Sequence, residues 1–93
     1  MGAQIGAGIK NDDNTFSGVL MGSYSQDLNL HSEILSKTGL LGFSKGEASF
    51  GLLDSGDAFF GKSGLGRILF RVSGTNPQAI IESGGYIASD FSG

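Results

Sequence analysis

The chain has 93 residues, 17 of them glycine and none cysteine, and a formal net charge of −3. The length bounds it to one domain, the scattered basic residues exclude a surface that tracks a nucleic-acid backbone, and the absence of cysteine excludes disulfide staples. No apolar run is long enough to cross a membrane as a helix, and the N-terminus lacks the layout of a signal peptide. With 39% hydrophobic and 16% charged residues, the composition is that of an ordered chain.

In chain order, Met1 to Lys10 alternates small, polar and branched residues and suits a strand. Asn11-Asp12-Asp13-Asn14 follows as a turn. The two aspartates lack the further ligands of a calcium loop and read as turn residues. Phe16 to Tyr24 holds Val19-Leu20-Met21 between glycines and reads as a buried strand. Asp27 to Ile34 alternates polar and apolar residues, a half-buried strand with Leu28 and Leu30 inward; a short helix fits the same residues in part. On that strand His31 and Glu33 share the outer face. A general-base pair is possible there, but no nucleophile stands nearby and a surface ion pair is the plainer reading.

Residues 1–38 thus form an N-terminal β segment, and 39–93 a glycine-rich repeat segment continuous with it. Gly46-Glu47-Ala48-Ser49-Phe50, Gly56-Asp57-Ala58-Phe59-Phe60 and Gly66-Arg67-Ile68-Leu69-Phe70 recur every ten residues, with Gly51 and Gly61 halfway. A fixed period is the signature of a repeating architecture. Within each block alternation sets the small or branched residue and the Phe on one face. A five-residue step would flip that face in a continuous strand. Gly46, Gly51, Gly56, Gly61 and Gly66 are therefore expected at corners, where positive φ is tolerated. The expected fold class is all-β, with short strands stacking as rungs; the plainer alternative is a run of glycine-rich β-hairpins. Beyond Phe70, Ser73 to Pro77 is a turn, Ala79 to Glu82 a strand, Gly84-Gly85 a corner and Tyr86 to Ala88 a last strand. The closing Ser89 to Gly93 reads as cut from a longer chain.

Gly56 to Ser63 satisfies G-x-x-x-x-G-K-S, the pattern of a nucleotide-binding loop that opens a helix. Gly64-Leu65-Gly66 follows where that helix should begin, and Phe59 and Phe60 belong to the ten-residue repeat, so nucleotide binding is not expected. Asp54 and Asp57 lie at neighbouring corners and read as solvated turn residues rather than paired catalytic carboxylates. No metal or cofactor set stands out, and no enzyme is expected.

Seven phenylalanines are thin against the entropy of ordering so many glycines, so burial against identical copies is expected. Ala48, Phe50, Leu53, Ala58, Phe60, Ile68 and Phe70 are the candidates for a core shared by three chains. Phe59, Leu69 and Tyr86 fall on the outward parity, and Tyr24, Phe59 and Tyr86 are the candidates for surface ligand contacts.

Gly39-Leu40-Leu41-Gly42-Phe43, Gly56 to Gly64, Gly66-Arg67-Ile68 and Ile80-Ile81-Glu82-Ser83-Gly84-Gly85-Tyr86 together resemble repeats in tail-fibre and baseplate-associated structural proteins of bacteriophages of Gram-positive bacteria. The resemblance covers roughly residues 39–88. It implies an intertwined homotrimeric β-prism or triple β-helix, a shaft that positions receptor-binding parts and brings no catalytic residues. It further implies a place in the virion tail after synthesis in the host cytoplasm, with other tail or baseplate proteins and a host cell-surface glycan as partners, and no nucleic acid, cofactor or membrane insertion. The block pattern runs for only three units, short of a long uniform shaft. A receptor- or carbohydrate-binding module on the same scaffold, and a monomeric β-solenoid with five-residue sides, are the alternatives.

Overall fold

The computed structural model describes residues 4–32, 34–72 and 77–82. Among these residues seven strands follow one another in a single antiparallel sheet whose spatial order is the chain order: β1 (Gln4–Lys10), β2 (Phe16–Ser23), β3 (Thr38–Ser44), β4 (Glu47–Leu53), β5 (Ala58–Gly61), β6 (Arg67–Arg71) and β7 (Gln78–Glu82). No helix occurs among the described residues. The chain is all-β, as the alternation and the glycine-punctuated repeat lead one to expect. Its connectivity is the run of hairpins rather than a stack of rungs, and the antiparallel pairing of every neighbour excludes a single-chain solenoid over these residues. The sheet is continuous across the boundary between residues 38 and 39. Tyr86, Gly84-Gly85 and most of the Ser73 to Pro77 turn lie outside the described residues.

The ten-residue period is the length of one strand plus one turn. Lys45 and Gly46 form the tightest of these turns: Ser44 faces Glu47, and φ is 51° at Lys45 and 80° at Gly46. Two successive positive φ values define the type I′ hairpin, whose twist matches the strands it joins. Gly56 and Gly66 sit in the next two turns with φ of 91° and 96°, and Gly61 ends β5 at 106°.

Gly51 is the exception to the corner expectation. It lies inside β4, opposite Leu41 on one side and Phe59 on the other. A Cβ there would stand 2.3 Å from Cε1 of Phe59, so this glycine makes room for a ring lying across the strand.

One face of the sheet carries the core. Leu41 and Phe43 of β3, Leu53 of β4, Phe59 of β5 and Leu69 of β6 are buried and form one cluster with Leu28 and Ile34. The last two come from the connection between β2 and β3, which folds across this face. Asp27 to Ile34 is therefore neither the strand nor the helix anticipated. Asn29 has a φ of 53° and its N–H donates to Asp27 Oδ1 at 2.8 Å, an Asx turn that breaks any extended run. The Ile34 N–H then donates to the His31 carbonyl at 2.9 Å. The connection is tied down at its ends: the Tyr24 N–H donates to the Lys37 carbonyl at 2.9 Å, and the Ser36 hydroxyl to Asp54 Oδ1 at 2.5 Å.

Phe59 and Leu69, placed outward by sequence parity, are 0% exposed. The reason is that cover. Alternation says only that Phe59 and Phe60 face opposite ways, and the β2–β3 connection decides which way is in.

Candidate interaction surface

Among the described residues, nothing covers the opposite face of the sheet. Following the register across the strands, Val19, Gly42, Phe50, Phe60, Ile68 and Ile81 form one row. Met21, Leu40, Leu52, Ala58, Phe70 and Ala79 form the next. Ala7 and Ile5 of β1 extend the two rows. None of these side chains is polar or charged. Phe60 is 48% and Phe70 39% exposed, and their rings meet edge to face at 6.4 Å. The exposed parts of the large apolar residues on this face amount to on the order of 800 Å², taking roughly 200 Å² for each such residue when fully exposed, within the range for an aromatic side chain. The largest apolar patch on a typical monomer is about 300–600 Å².

Of the seven residues expected in a shared core, Phe50, Ala58, Phe60, Ile68 and Phe70 lie together on this open face. Leu53 does not: it is buried in the chain's own cluster. Ala48 also parts from Phe50, because the pairing slips between Gly42 and Phe43, so that Gly42 faces Phe50 while Phe43 faces Ala48. Ser49 is the extra residue of this β-bulge, and it turns Ala48 toward the covered side, where Ala48 packs against the cluster.

The candidate ligand contacts separate in the same way. Phe59 is sealed inside and offers no surface for a sugar ring, and Tyr86 lies outside the described residues. Tyr24 is half-buried, its ring 4.8 Å from that of Phe43 and its hydroxyl donating to Gln26 Oε1 at 3.1 Å. Together with Phe16, Gln4 and Gln26 it borders a shallow open cleft beside the covered face.

Asp13, Asp54 and Asp57 accept hydrogen bonds at or beside turns, and Asp57 is buried where a solvated residue was expected. Asp57, 1% exposed, accepts from the Val72 N–H at 2.7 Å and from the Ser55 hydroxyl at 3.1 Å, while Asp54 receives Ser36, so the two carboxylates serve different partners. Asp13 accepts from the Thr15 hydroxyl at 2.5 Å and from the Thr15 N–H at 3.1 Å. The hydroxyl bond above all holds its carboxyl below the ordinary value. His31 is half-buried, and Glu33 lies outside the described residues. The Gly56 to Ser63 string spans a turn, β5 and the start of the next turn, and is followed by β6 rather than a helix. Sequence reading missed the Arg67–Glu82 pair. These residues face each other across β6 and β7, and Nε and Nη2 of Arg67 donate to Glu82 Oε1 at 3.0 and 2.5 Å, with Arg67 buried. Opposite charges at facing strand positions were the signal, legible only once the register was known.

Among the described residues no group of three or more His, Cys, Asp or Glu is arranged to hold a metal ion. No protein-family model, curated protein or solved structure matches the chain.

Proposed function

We propose that this chain is a non-enzymatic structural module that closes its open sheet face against two identical copies, as a segment of a trimeric β-fibre of the kind its glycine-rich repeats resemble. One observation carries the reading: two rows of apolar residues running across seven strands, free of charge and, among the described residues, of any cover. A standard interface takes about 800 Å² from each partner, and the exposed apolar area of this face is of that size. Three sheets around one axis would stack Phe60 and Phe70 in successive layers and remove the face from water. In a phage tail such a module would space receptor-binding parts from the other tail or baseplate proteins.

Light scattering tests this directly. The expected mass is that of three 9.6 kDa chains, or a whole multiple of three. Phe60→Asp, which would gather three carboxylates in one layer, is expected to abolish the three-chain assembly. A wild-type mass of one chain ends the proposal, and a mass of two ends its three-fold form.

A receptor- or glycan-binding role on the same scaffold draws on one separate feature, the cleft where Tyr24, Phe16 and Phe43 meet the amides of Gln4 and Gln26. A glycan array probed with wild type and Tyr24→Ala decides it: a hit lost in the variant supports the role, and an array without hits removes it.

A further inference from the structure

The first strand is exposed along its whole length. Among the described residues only β2 pairs with it, so its outer edge presents a row of backbone N–H and C=O groups with no partner strand among them. Protein edges of this kind are ordinarily blunted by proline, inward charge, a bulge or shortness. β1 has seven residues, no proline, a regular register to β2 and a single charge, at its end. On the open face it holds Ile5 and Ile9, 77% and 65% exposed, among the least covered of the large apolar residues.

Its sequence has a further property. Ile5-Gly6-Ala7-Gly8-Ile9 reads the same in both directions. In an antiparallel pair residues face each other in reverse order, so a palindromic strand is complementary to itself. We propose that β1 is a docking edge for β1 of a second copy, paired antiparallel about a two-fold axis through Ala7.

In this register Ala7 faces Ala7 of the second copy, Gly6 faces Gly8, and Ile5 faces Ile9. Each isoleucine gains a branched apolar cross-strand neighbour. The glycines meet on the opposite face, where nothing bulky separates the strands. The ends match as well. Gln4 faces Lys10, and Gln4 uses its Nε2 toward the Ser23 carbonyl, which leaves Oε1 to accept from the lysine ammonium. Lys10 makes no ion pair among the described residues. The contact is isologous, the same patch on both partners, and therefore closes. Two seven-stranded sheets become one continuous sheet whose central edges are no longer open to unlimited addition. This goes beyond the shared apolar core, because it uses the edge of β1 rather than the face.

The absence of cysteine makes the test clean. Facing Cα atoms in an antiparallel pair stand about 4.5–5.5 Å apart, within the roughly 4.4–6.8 Å that a disulfide spans. Ala7→Cys under mild oxidation is expected to give a covalent dimer, read on a denaturing gel, at least tenfold faster than Val19→Cys on the neighbouring strand of the same face. Ile5→Cys alone is expected to link slowly, because its partner position is Ile9, and an equal mixture of Ile5→Cys and Ile9→Cys chains to link fast. The proposal is overturned if Ala7→Cys links no faster than Val19→Cys, or if Ile5→Cys links to itself as fast as Ala7→Cys, the mark of a parallel register. Failure here leaves the shared core to its own test, since Phe60→Asp reports on the face, whereas a fast Ala7→Cys link in a Phe60→Asp background shows the edge working without it.

Discussion

The two faces of the sheet are built from the same kinds of residue and meet opposite fates. Phe59 and Leu69 on one face are sealed, while Phe60 and Phe70, their immediate neighbours in sequence, stand in water. Nothing in the strands distinguishes them. The difference comes from residues 24–37, which fold over one side and bring Leu28 and Ile34 down onto it. Burial in this chain is thus assigned by a connection rather than by the strands. A sheet with apolar residues on both sides is suited to being a middle layer, and among the described residues the chain covers only one of those sides.

The sharpest way to break that comparison is to truncate the two neighbouring phenylalanines separately. Phe59→Ala empties the centre of the intrachain cluster, and a change of this kind costs about 3–5 kcal/mol, against a total stability of about 5–15 kcal/mol for a typical domain. Chemical denaturation is expected to show a variant unfolded or barely folded. Phe60→Ala removes a ring already 48% exposed, so the far-UV circular dichroism of the chain is expected to survive while the mass in solution falls. Equal losses of structure in both variants would mean that the open face is as much a part of the single chain's core as the covered one.

The sequence made the strands legible because alternation and glycine punctuation both have local causes. Gly46, Gly56 and Gly66 mark real turns, and the ten-residue period is the hairpin repeat. The inside was not legible. A period of two yields two faces without ranking them, and the cover comes from a segment whose own alternation suggested a strand until the Asx turn at Asp27–Asn29 broke it. The bulge at Ser49 was equally hidden: one extra residue moves Ala48 away from Phe50, and no residue type announces it. Gly51 looked like a corner because its spacing matched the others, whereas its cause lies across the sheet in the ring of Phe59. Phe50, Ala58, Phe60, Ile68 and Phe70 were legible as a group, since grouping requires only parity, but Val19 and Met21, read as part of a buried strand, stand 38% and 53% exposed beside them.

Smaller changes sharpen the contrast. Asp57→Ala, at the rim of the covered face, strands the Val72 N–H and the Ser55 hydroxyl. Both partners belong to exposed residues, so each lost bond costs about 0.5–1.5 kcal/mol, and the denaturation midpoint is expected to fall while the assembled mass stays unchanged. Asp57→Asn, which retains an acceptor oxygen, is expected to recover part of the loss. A fall in mass with Asp57→Ala would show that the two faces are coupled through the sheet.

The smallest effect is expected at Asp13, in the β1–β2 turn and remote from the covered cluster. The Thr15 hydroxyl, with the Thr15 N–H, holds its carboxyl below the ordinary value of 3.8, so the folded state favours the ionised form. A carboxylate of this kind contributes stability that is fully present above the unfolded value and is lost as the pH falls through the lower folded one. Thermal melts of wild type and Asp13→Ala are therefore expected to differ by a constant small margin at neutral pH and to converge as the acid limb is entered below about pH 4. The group is fully exposed, so the margin stays under every effect above and leaves the mass untouched. A gap that widens toward low pH would reverse the sign, showing that the turn stabilises the protonated carboxyl and that the Thr15 bonds are not what orders the hairpin carrying the exposed isoleucines of β1.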